Sequence, residues 1–276
     1  MTGRAGRRGR DNIGFMLAVP GSFMDLSHIR KMLHAHPESI ESQLKNDFSM
    51  ALNLLLSQTP ANIKNIFEHS FAAWQRRRAG RGSLSAAEII WDDFLRHLSF
   101  LKAEGFVSDE DTLTGDGRWA ARLRLDHPLL VAQCLRENVF PEDNEKLLAA
   151  AMAVFAYDRE DELRVAAKDL PQKLNRLLGR LLVAVRPLQR RLEKAGFPYV
   201  RLYTAAGAAV YHWANGRDWE LVIRTTGIAE GDMATLVLRT ADNLRQLASL
   251  KDTHPRVAGC ALRAAEAILR EPVLFL

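Results

Sequence analysis

Two arginines near the start of the chain, Arg4 and Arg7, have a spacing that suits phosphate chemistry. They lie three residues apart in the string Gly3 to Gly9, where glycine and alanine separate the cationic side chains. Small neighbours let both guanidinium groups approach one polyphosphate, and each planar group can bind two phosphate oxygens at once. Such a pair can stabilise the charge that develops on a transferred phosphoryl group. The spacing therefore predicts a role in nucleotide chemistry, with a plain basic tail as the competing interpretation.

The rest of the machinery for phosphoryl transfer is missing from the sequence. The 276 residues contain no glycine-rich phosphate loop that ends in Lys-Ser or Lys-Thr, and no DExH box. ATP hydrolysis needs a loop that binds the phosphates and carboxylates that bind magnesium. In their absence, two arginines do not make a catalytic site. We therefore do not expect this chain alone to hydrolyse ATP.

A second candidate site is the helix predicted from Glu230 onward. Arg239 could bind a phosphate or stack on a base, and Asp242 or Asn243 could bind a base edge or a sugar hydroxyl. Gln246 lies on the same polar side of the helix. From the residues alone, the default interpretation is that Arg239 and Asp242, three positions apart, pair with each other on the surface. The opposite side is predicted to be a buried stripe of Met233, Leu236, Val237, Thr240, Leu244 and Leu247.

Positive charge is concentrated in two places. The formal net charge is +5, and eight clustered arginines exceed that excess, so the remainder is close to neutral or slightly acidic. Any phosphate-binding surface is therefore expected to be local. The clusters consist of Arg4, Arg7, Arg8 and Arg10, and of Arg76, Arg77, Arg78 and Arg81.

Composition favours a cytoplasmic globular protein. A hydrophobic content of 47% is enough to bury the cores of one to three domains. Cys134 and Cys260 are isolated in sequence, which indicates reduced thiols and no metal site. No apolar run reaches the roughly 18 residues that a membrane-spanning helix needs, and no signal peptide is recognisable. We expect no membrane contact.

The elements before residue 105 are predicted to be one strand and several helices. Ile13 to Val19 forms a short apolar strand, which needs neighbouring strands to be stable. From Asp25 to about Gln75, apolar residues recur every three to four positions and predict two or three amphipathic helices. A basic linker, 76–83, follows. Ser85 is a predicted N-cap for a helix that runs to about Glu104.

A short hairpin and a helical region follow. The pattern from Phe106 to Gly117 is typical of a hairpin, with Leu113 to Arg118 as a wing, and helices followed by such a hairpin predict a winged helix. Beyond Asp126 we expect about seven helices. The fold class is thus mainly α: a winged helix, then a helical bundle, with a strand at the N-terminus. Breaks are predicted near Pro141, Pro171, Pro187, 196–198, Gly216, Gly227 and Pro255.

The arginine string resembles motif VI of superfamily 2 helicases. That motif reads Gln, two variable residues, Gly-Arg, a small residue and Gly-Arg, and Met1 and Thr2 would be the variable pair. Its glutamine would precede Met1, so we expect the chain to start inside the motif. On this resemblance, Arg4 and Arg7 are arginine fingers that act with ATP and Mg²⁺ in the intact parent protein.

Two further regions are similar to the Ski2 and Mtr4 branch of these helicases. The first runs from Pro37 to Gln75, near the point where eukaryotic members insert an arch and this chain has only the linker 76–83. The second resembles the DSHCT domain, whose ratchet helix would begin near Glu230 and touch the translocating strand. It is carried by Tyr211, Trp213, Ala214, Gly216, Thr226, Glu230, Gly231, Asp232, Arg239, Asp242, Leu244, Arg245, Gln246, Arg270 and Val273.

The resemblance implies three domains and a helicase function. Residues 1–22 would end a RecA-like motor domain, 23–125 would form the winged helix, and 126–276 the helical DSHCT or ratchet bundle. The parent would be an ATP-dependent RNA helicase that translocates on RNA and unwinds it. Its implied partners are single-stranded RNA, or DNA, and the missing motor domains. Arg239, Asp242, Asn243 and Gln246 would bind the nucleic acid.

Two other functions stay open. A free-standing winged-helix protein could bind nucleic acid or a partner through the helix from Ala86 to Glu104. The acidic residues Asp92, Asp93 and Glu104 on that helix fit a phosphate groove poorly. A scaffold that binds only protein partners is the third interpretation.

Overall fold

The computed structural model describes residues 9–10, 13–15, 17–20, 25–34, 40–79, 86–157 and 170–275. Residues 1–43 and 44–276 form two compact units. The described part of the first unit contains helix α1, Leu26–His34. The side chain of Asp25 accepts hydrogen bonds from the backbone N–H of His28 at 2.7 Å and from the Ser27 hydroxyl at 2.8 Å, so it caps this helix.

The strand predicted over Ile13–Val19 is wrong for the described residues 13–15 and 17–20. These residues adopt no regular structure, and Phe15 and Leu17 are 87% and 95% exposed. The physical reason is that a strand needs neighbouring strands for its backbone hydrogen bonds, and the described residues of this unit supply none. The remnant of a motor domain stays a prediction.

The mainly α prediction is confirmed, because every regular element in the described residues is helical. The second unit begins with α2 (Phe48–Ser57), α3 (Pro60–Glu68) and α4 (Phe71–Ala79). Asp47 and Thr59 cap α2 and α3 by accepting backbone N–H groups. The region from Asp25 to Gln75 therefore holds four helices where two or three were predicted.

Helix α5 runs over Ala86–Ala103 and ends as predicted, with Gly105 in the left-handed conformation at φ +73°. The basic linker predicted over 76–83 is wrong for residues 76–79, which belong to α4. Residues 80–83 and the predicted N-cap Ser85 lie outside the described residues. Beyond the helix, Val107 and Leu113 form one antiparallel bridge, which is all that the described residues show of a hairpin.

The wing predicted over Leu113–Arg118 is wrong, because most of this segment is helical. Helix α6 spans Gly115–Ala120 and is capped by the Thr114 hydroxyl, which accepts from the backbone N–H of Gly117 at 3.1 Å. A Cβ at Gly117 would stand 1.9 Å from the carbonyl oxygen of Phe106. Glycine is needed there for close packing of a helix on the hairpin, and not for a turn.

Seven helices follow Asp126 in the described residues, as predicted. Helix α8 lies at their centre: all its residues from Leu148 to Ala156 are buried, and it packs against α9, α10, α12 and α13. These helices are α7 (Pro128–Arg136), α8 (Glu145–Ala156), α9 (Gln172–Lys194), α10 (Thr204–Ala214), α11 (Trp219–Thr226), α12 (Glu230–Ala248) and α13 (Pro255–Ile268).

The break predicted at Pro187 is wrong, because α9 continues through it. Proline removes the hydrogen bond to the carbonyl of Val183, four residues earlier. Val183 is 70% exposed, so water can reach that part of the helix and satisfy the carbonyl. Buried leucines before and after the proline, among them Leu181 and Leu188, hold both halves against the core.

The helices on either side of residue 125 share one core. Phe197, in the loop after α9, lies 4.8 Å from the ring of Phe48 and 5.5 Å from that of Phe100. The Glu104 carboxylate accepts two hydrogen bonds from Arg191, at 2.6 and 2.8 Å. The boundaries predicted at 22 and 125 stay predictions, and the packing provides no gap at residue 125.

The cysteines are free and buried. Burial raises the pKa of both thiols, and the nearby Glu137 carboxylate adds to this effect at Cys134. Among the described helices, none combines the length and apolar character that crossing a membrane requires. The cytoplasmic location inferred from cysteine usage stays a prediction.

Candidate nucleic-acid interface

Helix α12 is held by the apolar stripe that the sequence predicted. All six stripe residues are buried, and the helix packs with them against α8 and α13. Its start is fixed by α11, which ends at Gly227 in the left-handed conformation. There the indole N–H of Trp219 donates to the Glu230 carboxylate at 3.0 Å. These contacts turn the polar side of α12 toward solvent.

Arg239 is paired with a carboxylate from another part of the unit. Its Nη2 donates to Oδ2 of Asp126 at 2.6 Å, and the side chains are 35% and 62% exposed. Asp126 lies between α6 and α7, 113 residues away in sequence. The guanidinium therefore holds an oxyanion at the protein surface, in a contact that a phosphate could also make.

The competing interpretation of a pair between Arg239 and Asp242 is wrong. Asp242 accepts instead from Nη1 of Arg245 at 2.8 Å, and both side chains are more than half exposed. An exposed pair of this kind contributes about 0–1 kcal/mol and is readily exchanged. Asp242 is thus accessible, although its charge favours a sugar hydroxyl or a base N–H over a phosphate.

Asn243 and Gln246 are the remaining predicted site residues, and they lie beside Arg239. Positions i, i+4 and i+7 share one edge of a helix, so the three side chains follow one line. Both amides are half-buried. Neither side chain makes a hydrogen bond to any residue that the structure describes. Each amide offers a donor and an acceptor to a ligand.

Only one of the two candidate sites predicted from the sequence, that on α12, lies within the described residues. Arg4 and Arg7 lie outside the described residues, and their role stays a prediction. Within the described ranges, no three His, Cys, Asp or Glu side chains are arranged to hold a metal ion.

Asp126 is the residue that sequence reasoning missed. It is separated from α12 by more than a hundred positions and has no motif of its own, so only the packing of the chain reveals the contact.

Helix α5, the recognition helix of the alternative interpretation, has its cations engaged within the protein. Arg96 contacts Asp93 at 2.7 Å, and Lys102 contacts Asp111 at 2.8 Å. Arg96 also donates to the carbonyl of Gly196 at 3.0 Å. Pairing leaves little positive charge for a phosphate groove, so the structure adds no support for that alternative.

A family comparison agrees with the geometry of the helical bundle. Residues 110–276, more than half of the chain, match the DSHCT (NUC185) domain. The chain therefore belongs to the DSHCT family.

Three curated proteins are similar to this chain. A chloroplastic DExH-box ATP-dependent RNA helicase of Arabidopsis thaliana is 23% identical over 73% of this chain and 16% of its own length. The mRNA transport homolog 4 of Caenorhabditis elegans is 20% identical over 79% and 21%. Superkiller complex protein 2 of Mus musculus is 27% identical over 45% and 10%.

These matches confirm the resemblance to the C-terminal region of Ski2-like helicases. The chain spans about a fifth or less of the length of these relatives.

Proposed function

We propose that this chain is the nucleic-acid-contacting part of an ATP-dependent RNA helicase, and that α12 contacts the translocating single strand. The observation that carries the proposal is the division of α12 into two sides. One side is buried against α8 and α13, and the other carries the exposed Asp242 and the half-buried Arg239, Asn243 and Gln246. A helix that is packed on one side and polar on the other can bind single-stranded nucleic acid with little dependence on base sequence.

The relatives support the kind of activity. One of them is named an ATP-dependent RNA helicase, and the family match covers the whole of α12. In an intact parent, ATP and Mg²⁺ would be bound by motor domains, and Arg4 and Arg7 would act as arginine fingers there. Replacing Arg7 by alanine in such a parent should abolish ATP hydrolysis and leave binding of the strand intact.

The test is fluorescence anisotropy of a labelled single-stranded RNA, with DNA of the same sequence in parallel. The chain is compared with an Arg239→Ala/Asn243→Ala variant at low and moderate salt. We expect the affinity of the variant to fall about fivefold or more, because each lost contact to the strand is worth about 1 kcal/mol. Circular dichroism and thermal unfolding check that the variant is folded.

An Arg224→Ala/Asn215→Ala variant is the matched control, because both residues are exposed and lie outside α12, and it removes the same charge and amide. Equal affinities for the site variant and this control would overturn the proposal. A loss confined to the site variant would support it.

A further inference from the structure

Helix α9 carries more basic side chains than any other helix in the described residues. Its 23 residues include seven basic side chains and one acidic side chain, that of Glu193. The two arginine clusters in the sequence, at positions 4–10 and 76–81, lie outside this helix. The basic residues of α9 are Lys173, Arg176, Arg180, Arg186, Arg190, Arg191 and Lys194.

These cations all lie on the solvent side of the helix. The opposite side is buried in the bundle through a stripe of leucines and valine, so the helix is fixed and cannot turn. The buried residues that define this stripe are Leu174, Leu177, Leu178, Leu181, Val185, Leu188 and Leu192. The basic face is therefore a permanent feature of the surface.

Two of the seven cations are used to hold the helix in place. Arg191 binds the Glu104 carboxylate through two hydrogen bonds, and Arg180 donates to the carbonyl of Asn138 at 3.2 Å. The other five are exposed and make no hydrogen bond or ion pair with any residue that the structure describes. They are Lys173, Arg176, Arg186, Arg190 and Lys194.

Several of these charges repel one another. Arg186 and Arg190 are four residues apart, as are Arg190 and Lys194, and like charges at that spacing destabilise a helix. The repulsion is relieved when a polyanion lies along the face. The charged face is therefore suited to a ligand with repeated negative charge.

The length of the face fits a nucleic-acid strand. Arg176 and Lys194 are 18 positions apart, which corresponds to about 27 Å along the helix axis. At about 3.4 Å per nucleotide, a stacked strand of that length has roughly eight phosphates. This is within the range of site sizes of about 4–16 nucleotides for single-strand binding folds.

A protein partner fits less well. A stable protein interface needs an apolar centre with aromatic or aliphatic anchors. The exposed apolar residues on this face are Val183, which is 70% exposed, and Pro187. Charge without an apolar centre favours a phosphate backbone over an acidic protein.

We propose that the five exposed cations of α9, which have no partner among the described residues, form a second nucleic-acid surface that binds the phosphate backbone without reading the bases. This surface is separate from the contact proposed for α12. The proposal rests on the proposed function only because both surfaces bind the same class of ligand.

The experiment is a salt titration with the full chain and a fluorescein-labelled 20-nucleotide oligouridylate. An Arg176→Gln/Arg186→Gln/Arg190→Gln variant is compared with a charge-matched control, Arg224→Gln/Lys251→Gln/Arg263→Gln, whose residues are exposed outside α9. The slope of log affinity against log salt concentration should fall by about 2 in the α9 variant, since each lost phosphate contact contributes about 0.7. The control should keep the slope of the parent.

Equal slopes for the α9 variant and the control would overturn this proposal. So would unchanged RNA binding together with a loss of binding to polyglutamate, which would assign the face to acidic proteins. The Arg239→Ala/Asn243→Ala variant keeps the two proposals apart. If that variant binds normally while the α9 variant is weakened, the proposal for α12 fails and this one stands; the reverse result overturns this one alone.

Discussion

The Asp126 carboxylate lies 2.6 Å from Nη2 of Arg239, across the surface on which α12 is proposed to bind a strand. A ligand phosphate would compete with this carboxylate for the same guanidinium group. Asp126 also adds a negative charge that repels a polyanion. The affinity of the site for RNA thus depends on a residue outside α12.

Replacing Asp126 by asparagine should strengthen RNA binding about two- to fivefold, because an exposed ion pair contributes about 0.2–1 kcal/mol and the repulsion is removed with it. Anisotropy titrations at low salt measure the change. Glu142→Gln, which breaks another exposed pair, with Arg256 at 2.9 Å, should leave the affinity unchanged. Weaker binding by Asp126→Asn would mean that the carboxylate holds Arg239 in its binding conformation.

Two glycines in neighbouring helices should respond in opposite directions to alanine. A Cβ at Gly207 would lie 2.7 Å from the backbone oxygen of Ala150, which cannot move easily, so Gly207→Ala should destabilise the fold by about 1–3 kcal/mol. Gly179 is exposed within α9 and has open space around it, so Gly179→Ala should stabilise by about 1 kcal/mol. Thermal unfolding of both variants is the measurement. A lower midpoint for Gly179→Ala would contradict the placement of α9.

Two histidines should make the fold less stable in mild acid. Burial lowers the pKa of His212, with help from Arg217, and burial also lowers the pKa of His254 against an opposing effect of Asp116. The unfolded chain then binds protons more readily than the folded chain, so this stability is present above pH about 6.5 and is lost as the pH falls.

The melting temperature should therefore fall between pH 7.5 and 5.5, and the fall should be smaller in a His212→Gln/His254→Gln variant. His69→Gln, at an exposed site, serves as the control and should retain the full pH dependence. If the double variant and the control have the same pH dependence, the loss of stability has another origin.

Phe197 should be essential to the cooperativity of the second unit. Its ring contacts Phe48, His97 and Phe100, and Arg96 lies over it at 4.6 Å. Phe197→Ala should cost about 3–5 kcal/mol, as expected for a buried aromatic side chain. Denaturant unfolding followed by tryptophan fluorescence and by circular dichroism should give one coincident transition in the parent.

Tyr199→Ala, two residues on and 58% exposed, should change stability little. Two separate transitions in the parent would show that the helices before and after residue 125 unfold independently, contrary to their shared core.

The spacing of apolar residues in the sequence correctly predicted those features of the fold that depend on neighbouring positions in the chain. The buried stripe of α12 follows from apolar residues at helical spacing, and the end of α5 follows from Gly105. These features are set by residues within a few positions of each other, so the sequence pattern is sufficient.

The errors came from tertiary contacts and from proline. Gly117 looked like a turn residue, but it is required by the approach of the Phe106 carbonyl. Pro187 suggested two short helices and so concealed the continuous basic face of α9. The partner of Arg239 could not be predicted either, because Asp126 meets it only after the bundle has folded.

Helix α9 is about 34 Å long and is tied to other elements at two points, one about a third of the way along it and one near its end. Arg180 joins it to the end of α7, and Arg191 joins it to α5 through Glu104. If a strand pulls along this helix, the tension is passed as shear to these two ties and to Phe197 behind them. The helix would then act as a strut, and a force applied at the bundle would reach α2 and α5 through these contacts.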